Sequence, residues 1–201
     1  MGEPAIMPVY KKDDRFLPVA EEPINTQAGV RPLAWLVGCH GGAGVSTLEA
    51  VFAPLTSTGQ VIPAANDPAT VILVAEVSKR GLRAAHKAVL QFETDDAGGA
   101  HLAGVMLVHR TPGKTPKALT GDLERLTEAT PGGNVWNVPF FSEWVTTTAD
   151  GLPEWEPGYE PPARKKLSRK PGVLDAVPEV VMEIGDDMAA RCVTVNRRAE
   201  K

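Results

Sequence analysis

Ten consecutive residues, Gly38-Cys39-His40-Gly41-Gly42-Ala43-Gly44-Val45-Ser46-Thr47, hold the groups best suited to chemistry. Residues without side chains let successive backbone N–H groups converge on one anion, as a phosphate-cradling loop requires. A helix start directly behind such a loop adds unpaired N–H groups and the positive end of the helix dipole. Gly41, Gly42 and Gly44 meet the first need; Ser46 and Thr47, opening the expected helix, meet the second. Either hydroxyl could cap that helix, and Ser46 could contact the magnesium ion of a bound nucleotide. The same glycines equally suit a tight strand-to-helix connection that holds no ligand. A dinucleotide loop fits less well. Thr47 stands where its third glycine belongs, and no strand-terminal acid follows about 20 residues on.

Other side chains qualify singly. Glu76 ends an apolar run, the general form of an acid that holds a magnesium-bound water; a solvated strand end has the same form. Asp67 sits in a turn with Pro68. His40 could touch a phosphate when protonated, or pack within its loop. Lys79, Arg80, Arg110 and Lys114 lie just after apolar runs, at the edge where a ligand would sit. His86, His101 and His109 are dispersed and have no partner at ligand spacing, which argues against a metal. Cys39 lies near a helix start, where a thiol pKa can fall, but no histidine–acid constellation accompanies it, so packing is expected. The basic run Arg164, Lys165, Lys166, Arg169 and Lys170 could bind nucleic-acid phosphates or an acidic partner, or form a solvated linker. Trp136, Phe140, Phe141, Trp144, Trp155 and Tyr159 either pack back on the domain or anchor a partner. Their number exceeds what one small sheet is expected to cover.

The segment from His40 to Thr47 resembles the deviant Walker A motif of the ParA/MinD group of P-loop ATPases, Lys-Gly-Gly-x-Gly-Lys-Ser/Thr-Thr. Both lysines are replaced: His40 stands at the signature position and Val45 at the phosphate-binding one. Cys39 takes the place of the group's first glycine. The resemblance covers roughly residues 33 to 140. It implies a nucleotide site at His40, Gly41, Gly42, Ala43, Gly44, Val45, Ser46 and Thr47, with ATP and magnesium as the ligand class. In this comparison the segment between the first helix and Val71 is too short, and the strand ending in the group's catalytic aspartate is missing. The variant with Gly-Gly-Ala-Gly-x-Ser-Thr-Leu also resembles small actinobacterial proteins tied to plasmids or other mobile elements. A lysine-to-phosphate hydrogen bond contributes roughly 1.5–3 kcal/mol, and more where charge develops in the transition state. Valine supplies none of it. A degenerate, non-hydrolysing module is the resulting expectation, with a slow ATPase completed by an outside cation, or a ligand-free interaction module, as alternatives.

These residues need elements to hold them. Leu33-Ala34-Trp35-Leu36-Val37 is a short apolar run that stops at Gly38, as a strand buried on both faces does. Leu48, Val51 and Phe52 then repeat at helical spacing up to Pro54. Residues 54 to 68 read as a turn-rich connection. Val71 to Ala75 predicts a second strand, and Lys79 to Phe92 a helix with Leu82, Ala85, Val89 and Phe92 on its inner stripe. Leu102 to Val108 predicts a third strand. Pro116 opens a helix carrying Leu119, Leu123 and Leu126, and Val135 to Val138 predicts a fourth strand.

Strands alternating with helices point to an α/β fold, a small and mostly parallel sheet of about four strands, in reduced P-loop form. Residues 1–31 are expected as an extended arm, 32–145 as the domain, and 146–201 as a proline- and charge-rich tail with at most one short helix. The net charge of −4 offers no general attraction to nucleic acid or anionic membranes. No run reaches the roughly 20 apolar residues of a membrane span. Lys11 to Arg15 stand where a signal peptide would be apolar, and two cysteines are too few for a disulfide scaffold. A cytoplasmic protein is expected.

Overall fold

A computed structural model describes residues 16–24, 31–64, 70–162 and 171–199. In chain order they form β1 (Ala34–Gly38), α1 (Val45–Val51), β2 (Leu55–Ser57), β3 (Thr70–Glu76), α2 (Lys79–Glu93), β4 (His101–Val108), α3 (Thr120–Ala129), β5 (Val135–Val138), α4 (Ser142–Val145) and α5 (Glu179–Ala199). The strands lie in the order β2-β1-β3-β4-β5, and every pairing is parallel. The fold is α/β, with helices on both faces of the sheet. β1, and β3 up to Ala75, are buried at every position, which explains their unbroken apolar runs.

The sheet has five strands, not about four. β2 falls in the segment expected to be only turns. Three residues carry no period; what makes Leu55–Ser57 a strand is pairing with Ala34, Trp35 and Leu36.

Alternation along the strands separates two cores. Trp35, Val37, Val71, Leu73, Val105 and Leu107 face α2 and α3, meeting Leu82, Ala85, Val89 and Leu126. Leu36, Ile72, Val74 and Met106 face the other way, toward α1 and α5. α5 is 21 residues long, so the expected tail with at most one short helix is corrected here. Its Val181, Ile184, Met188, Cys192 and Val195 are buried against the sheet. That face buries Trp136, Trp144 and Trp155 under α5 and packs Phe141 and Tyr159 at its margin, while half-buried Phe140 joins neither core, so not all six aromatics fit beneath the sheet. Two of the three indoles are paired: Trp136 Nε1 donates to Asp187 Oδ2 at 2.7 Å, and Trp144 Nε1 to the Val173 carbonyl at 3.2 Å. Part of the expected N-terminal arm is also docked. Leu17, Ala20 and Ile24 are buried, and Val19 bridges to Ile62.

Candidate functional site

β1 lies between β2 and β3, and the chain winds in opposite senses from its two neighbours. α1 carries it to β2 over one face; α2 and α3 carry it through β4 to β5 over the other. Right-handed crossovers require this segregation. The loops after β1 and β3 therefore diverge, and a crevice opens outside the strands' carboxyl ends, where open parallel sheets bind ligands. The glycine turn follows β1 into that crevice.

Two of its glycines have backbones that other residues adopt only with strain: Gly42 at φ 76° and Gly44 at φ 102°. Gly44 is the N-cap of α1, and no side chain caps the helix. Ser46 and Thr47 stand inside its first turn, so the expected hydroxyl cap is not formed. Within the turn, Ala43 N–H donates to the His40 carbonyl at 3.3 Å. The N–H groups of Gly41, Gly42, Gly44, Val45, Ser46 and Thr47 donate to no partner among the described residues. Gly41, Gly42 and Ser46 are exposed; Ala43 is buried in the core beneath α1. Four of the six, Gly44 to Thr47, are the unpaired donors of any helix start, and Gly41 and Gly42 add two more in the loop before it.

His40 does not reach outward. It is 8% exposed, and both ring nitrogens are engaged. Nδ1 lies 3.1 Å from the Gly41 carbonyl, and the Glu76 backbone N–H donates to Nε2 at 3.2 Å. Those partners require the neutral ring protonated at Nδ1. His40 thus ties the glycine turn to the end of β3, and the expected phosphate contact gives way to loop packing.

Glu76 is equally committed. Its Oε1 accepts from Ser78 Oγ at 2.7 Å, and its Oε2 lies 3.1 Å from Arg110 Nε. Ser78 in turn caps α2, accepting from Gly81 N–H. With both oxygens held, Glu76 is neither a solvated strand end nor an acid free to hold a magnesium-bound water. The same Arg110 donates through Nη2 to the Gly42 carbonyl at 2.5 Å. Of the four cations marked from sequence, Arg110 is the one that lies on the glycine turn. Lys79 pairs with Asp122, Arg80 lines a neighbouring cavity, and Lys114 is exposed away from it.

Cys39 is buried, its thiol pushed up to about 12 by loss of hydration, against a smaller lowering by a backbone hydrogen bond to Val74. It is a packing residue. Beside the turn lies an open cavity of about 1730 Å³. It is lined by Cys39 to Gly41 of the turn, the start of α1, the 56–61 loop, α2 and Phe16 to Pro18. The loop is pinned close over β1, since Gly38 N–H donates to the Gly59 carbonyl at 2.7 Å. Glu49, also on the wall, accepts from Ser57 N–H at 2.8 Å.

No known family, curated protein or solved structure matches the chain. The turn must be judged on its own geometry. Free amides at Gly41, Gly42 and Gly44–Thr47 fit an anionic oxygen cluster such as a phosphoryl group. Val45 brings no cation, and a magnesium ion held through Glu76 would first have to displace Arg110 and Ser78.

Among the described residues no group of three or more His, Cys, Asp or Glu could hold a metal ion, and no helix is long and apolar enough to cross a membrane. His101 opens β4 at the opposite end of the sheet, and His109 follows its other end. Asp67 and the run Arg164, Lys165, Lys166, Arg169 and Lys170 lie outside the described residues. Asp122 and Arg125 join the cavity without having been marked from sequence, because the chain brings them there only when α3 packs on α2. Asp122 is held below the usual carboxylate range, first by the hydrogen bond from Lys79 and further by Arg125.

Proposed function

We propose that this protein is a nucleotide-sensing module, a degenerate relative of the ParA/MinD type that binds phosphate and does not hydrolyse it. The observation that carries the reading is the set of six unpartnered backbone N–H groups at Gly41, Gly42 and Gly44–Thr47, in the turn that leads from β1 into α1. Val45 is what argues against turnover: no side-chain cation of the loop meets the charge that builds on transferred phosphoryl oxygens. The adjoining cavity gives room for a nucleoside. In this reading the protein acts in the cytoplasm as an adaptor in a larger assembly, such as one serving plasmid maintenance or transfer, and the nucleotide reports a state to a protein partner.

Calorimetric titration with ATP, with and without magnesium, tests it alongside a steady-state phosphate-release assay. Saturable binding that needs no magnesium, with no phosphate released, is the expected pair of results. Absence of binding would favour a ligand-free connection. A slow ATPase is the second reading, favoured by Arg110 at 2.5 Å from the Gly42 carbonyl. It requires phosphate release that Arg110→Gln abolishes.

A further inference from the structure

The α2 and α3 side of the cavity is rich in cations. Lys79, Arg80, Arg83 and Lys87 of α2, with Arg125 of α3, face it against only two carboxylates, Glu49 and Asp122. This is a positive cavity on a chain of net charge −4. Asp122 is shared by Lys79 and Arg125, which leaves the rest of the row uncompensated. Arg80 and Arg83 are exposed and have no carboxylate partner among the described residues. Lys87 lies over the Phe16 ring, 5.7 Å from its centroid.

Their position on the helix is electrostatically wrong for stability. Lys79 and Arg80 occupy the first turn of α2, which has no acidic residue, so their charge adds to the positive helix end. Local choices that oppose stability concentrate at functional sites, where a ligand relieves them. The row from Arg80 to Lys87 spans about 10 Å at the α-helical rise. One orthophosphate cannot bridge it; an extended chain of anionic groups can.

We propose that this wall is the second contact of the ligand, and that the cavity takes a polyphosphorylated small molecule, one end on the glycine turn and the other along Arg80, Arg83 and Lys87. The proposal rests on the phosphate reading of the turn for the first end only. A cavity of about 1730 Å³ exceeds what a single small group needs. Walls on several sides and the chain's negative charge favour a small ligand over a nucleic-acid duplex.

The test titrates inorganic tripolyphosphate and inorganic orthophosphate calorimetrically into the wild-type chain and into Arg80→Gln/Arg83→Gln. Both arginines are exposed and unpaired, so the circular dichroism spectrum should not change and the melting temperature should not fall. Wild type should bind tripolyphosphate at least about tenfold more tightly than orthophosphate, and the variant should lose that advantage while keeping its orthophosphate affinity. Equal tripolyphosphate affinity in both proteins overturns the proposal, whatever the turn does. Tripolyphosphate binding that responds to the variant, together with no orthophosphate binding at all, sinks the turn reading and keeps the arginine wall. A short DNA duplex bound as tightly as tripolyphosphate, and lost in the same variant, would assign the row to nucleic acid and overturn the small-ligand claim.

Discussion

Gly185→Ala places a methyl group against the most constrained side chain of the α1/α5 core. A Cβ at 185 would lie 2.5 Å from Trp155 Cδ2 and 2.7 Å from Cζ2, closer than carbon atoms approach. The far end of a flexible side chain could yield, but Trp155 cannot. It is 1% exposed and packs edge-on against Phe52 at 5.7 Å. Its own backbone is pinned from both sides: Trp155 N–H donates to the Val51 carbonyl at 2.7 Å, and Ala53 N–H to the Trp155 carbonyl at 3.0 Å. Overpacking of this kind costs about 1–3 kcal/mol, and the pinned ring puts this case in the upper half. Alanine recovers about 1 kcal/mol of helix propensity inside α5. The net is a loss of about 1–2 kcal/mol. For a urea slope near 2 kcal/mol/M, the midpoint should fall by about 0.5–1 M. Urea denaturation followed by tryptophan fluorescence reads it. A midpoint that rises, as propensity alone dictates, would mean that α5 is not docked on Trp155, and the cover of that sheet face would be wrong.

Val45→Lys returns a cation to the turn and should tighten ATP binding by roughly 10- to 100-fold, the worth of one charge-assisted hydrogen bond. Calorimetry comparing the variant with wild type decides it, and unchanged affinity would show that the turn lacks phosphate geometry. Both thiols should be inert in the native state. Cys39 and Cys192 are buried and each is pushed up to about 12 by desolvation, so thiolate does not form at pH 8. A chromogenic disulfide reagent should label neither in buffer and both in denaturant; rapid labelling of Cys39 in buffer would expose it at the crevice.

Much of the architecture was legible because its strands are buried on both faces. Val71 to Ala75 and Leu102 to Val108 need no partner information to be read, and α2 runs from Lys79 to one residue past the expected end. β2 was not legible: Leu-Thr-Ser becomes a strand only beside β1. α5 carried a signal that was read short. Val181, Ile184, Met188, Cys192 and Val195 recur at helical spacing, yet Gly185 and the acids Asp186 and Asp187 interrupt it. The structure supplies the reasons: Gly185 makes room for Trp155, and Asp187 accepts from Trp136.

For the site, residue types located the turn but not the roles within it. That Gly42 and Gly44 adopt positive φ follows from a strand-to-helix loop of this composition. That His40 is a brace, and that Glu76 is spent on Arg110 and Ser78, depends on which side chains the sheet brings together across tens of residues. The cationic wall was half visible. Arg80 could be marked as lying after a strand, whereas Arg83, Lys87 and Arg125 carry no motif of their own and gather only where α2, α3 and residues 16–18 line one cavity.

Backbone amide shifts measured during a pyrophosphate titration test the central claim most directly, because they read the six donors themselves. The account predicts saturable movement of the Gly41, Gly42, Gly44, Val45, Ser46 and Thr47 signals, strongest within this stretch. Pyrophosphate that leaves those amides unmoved, or moves only signals elsewhere in the sheet, would contradict it.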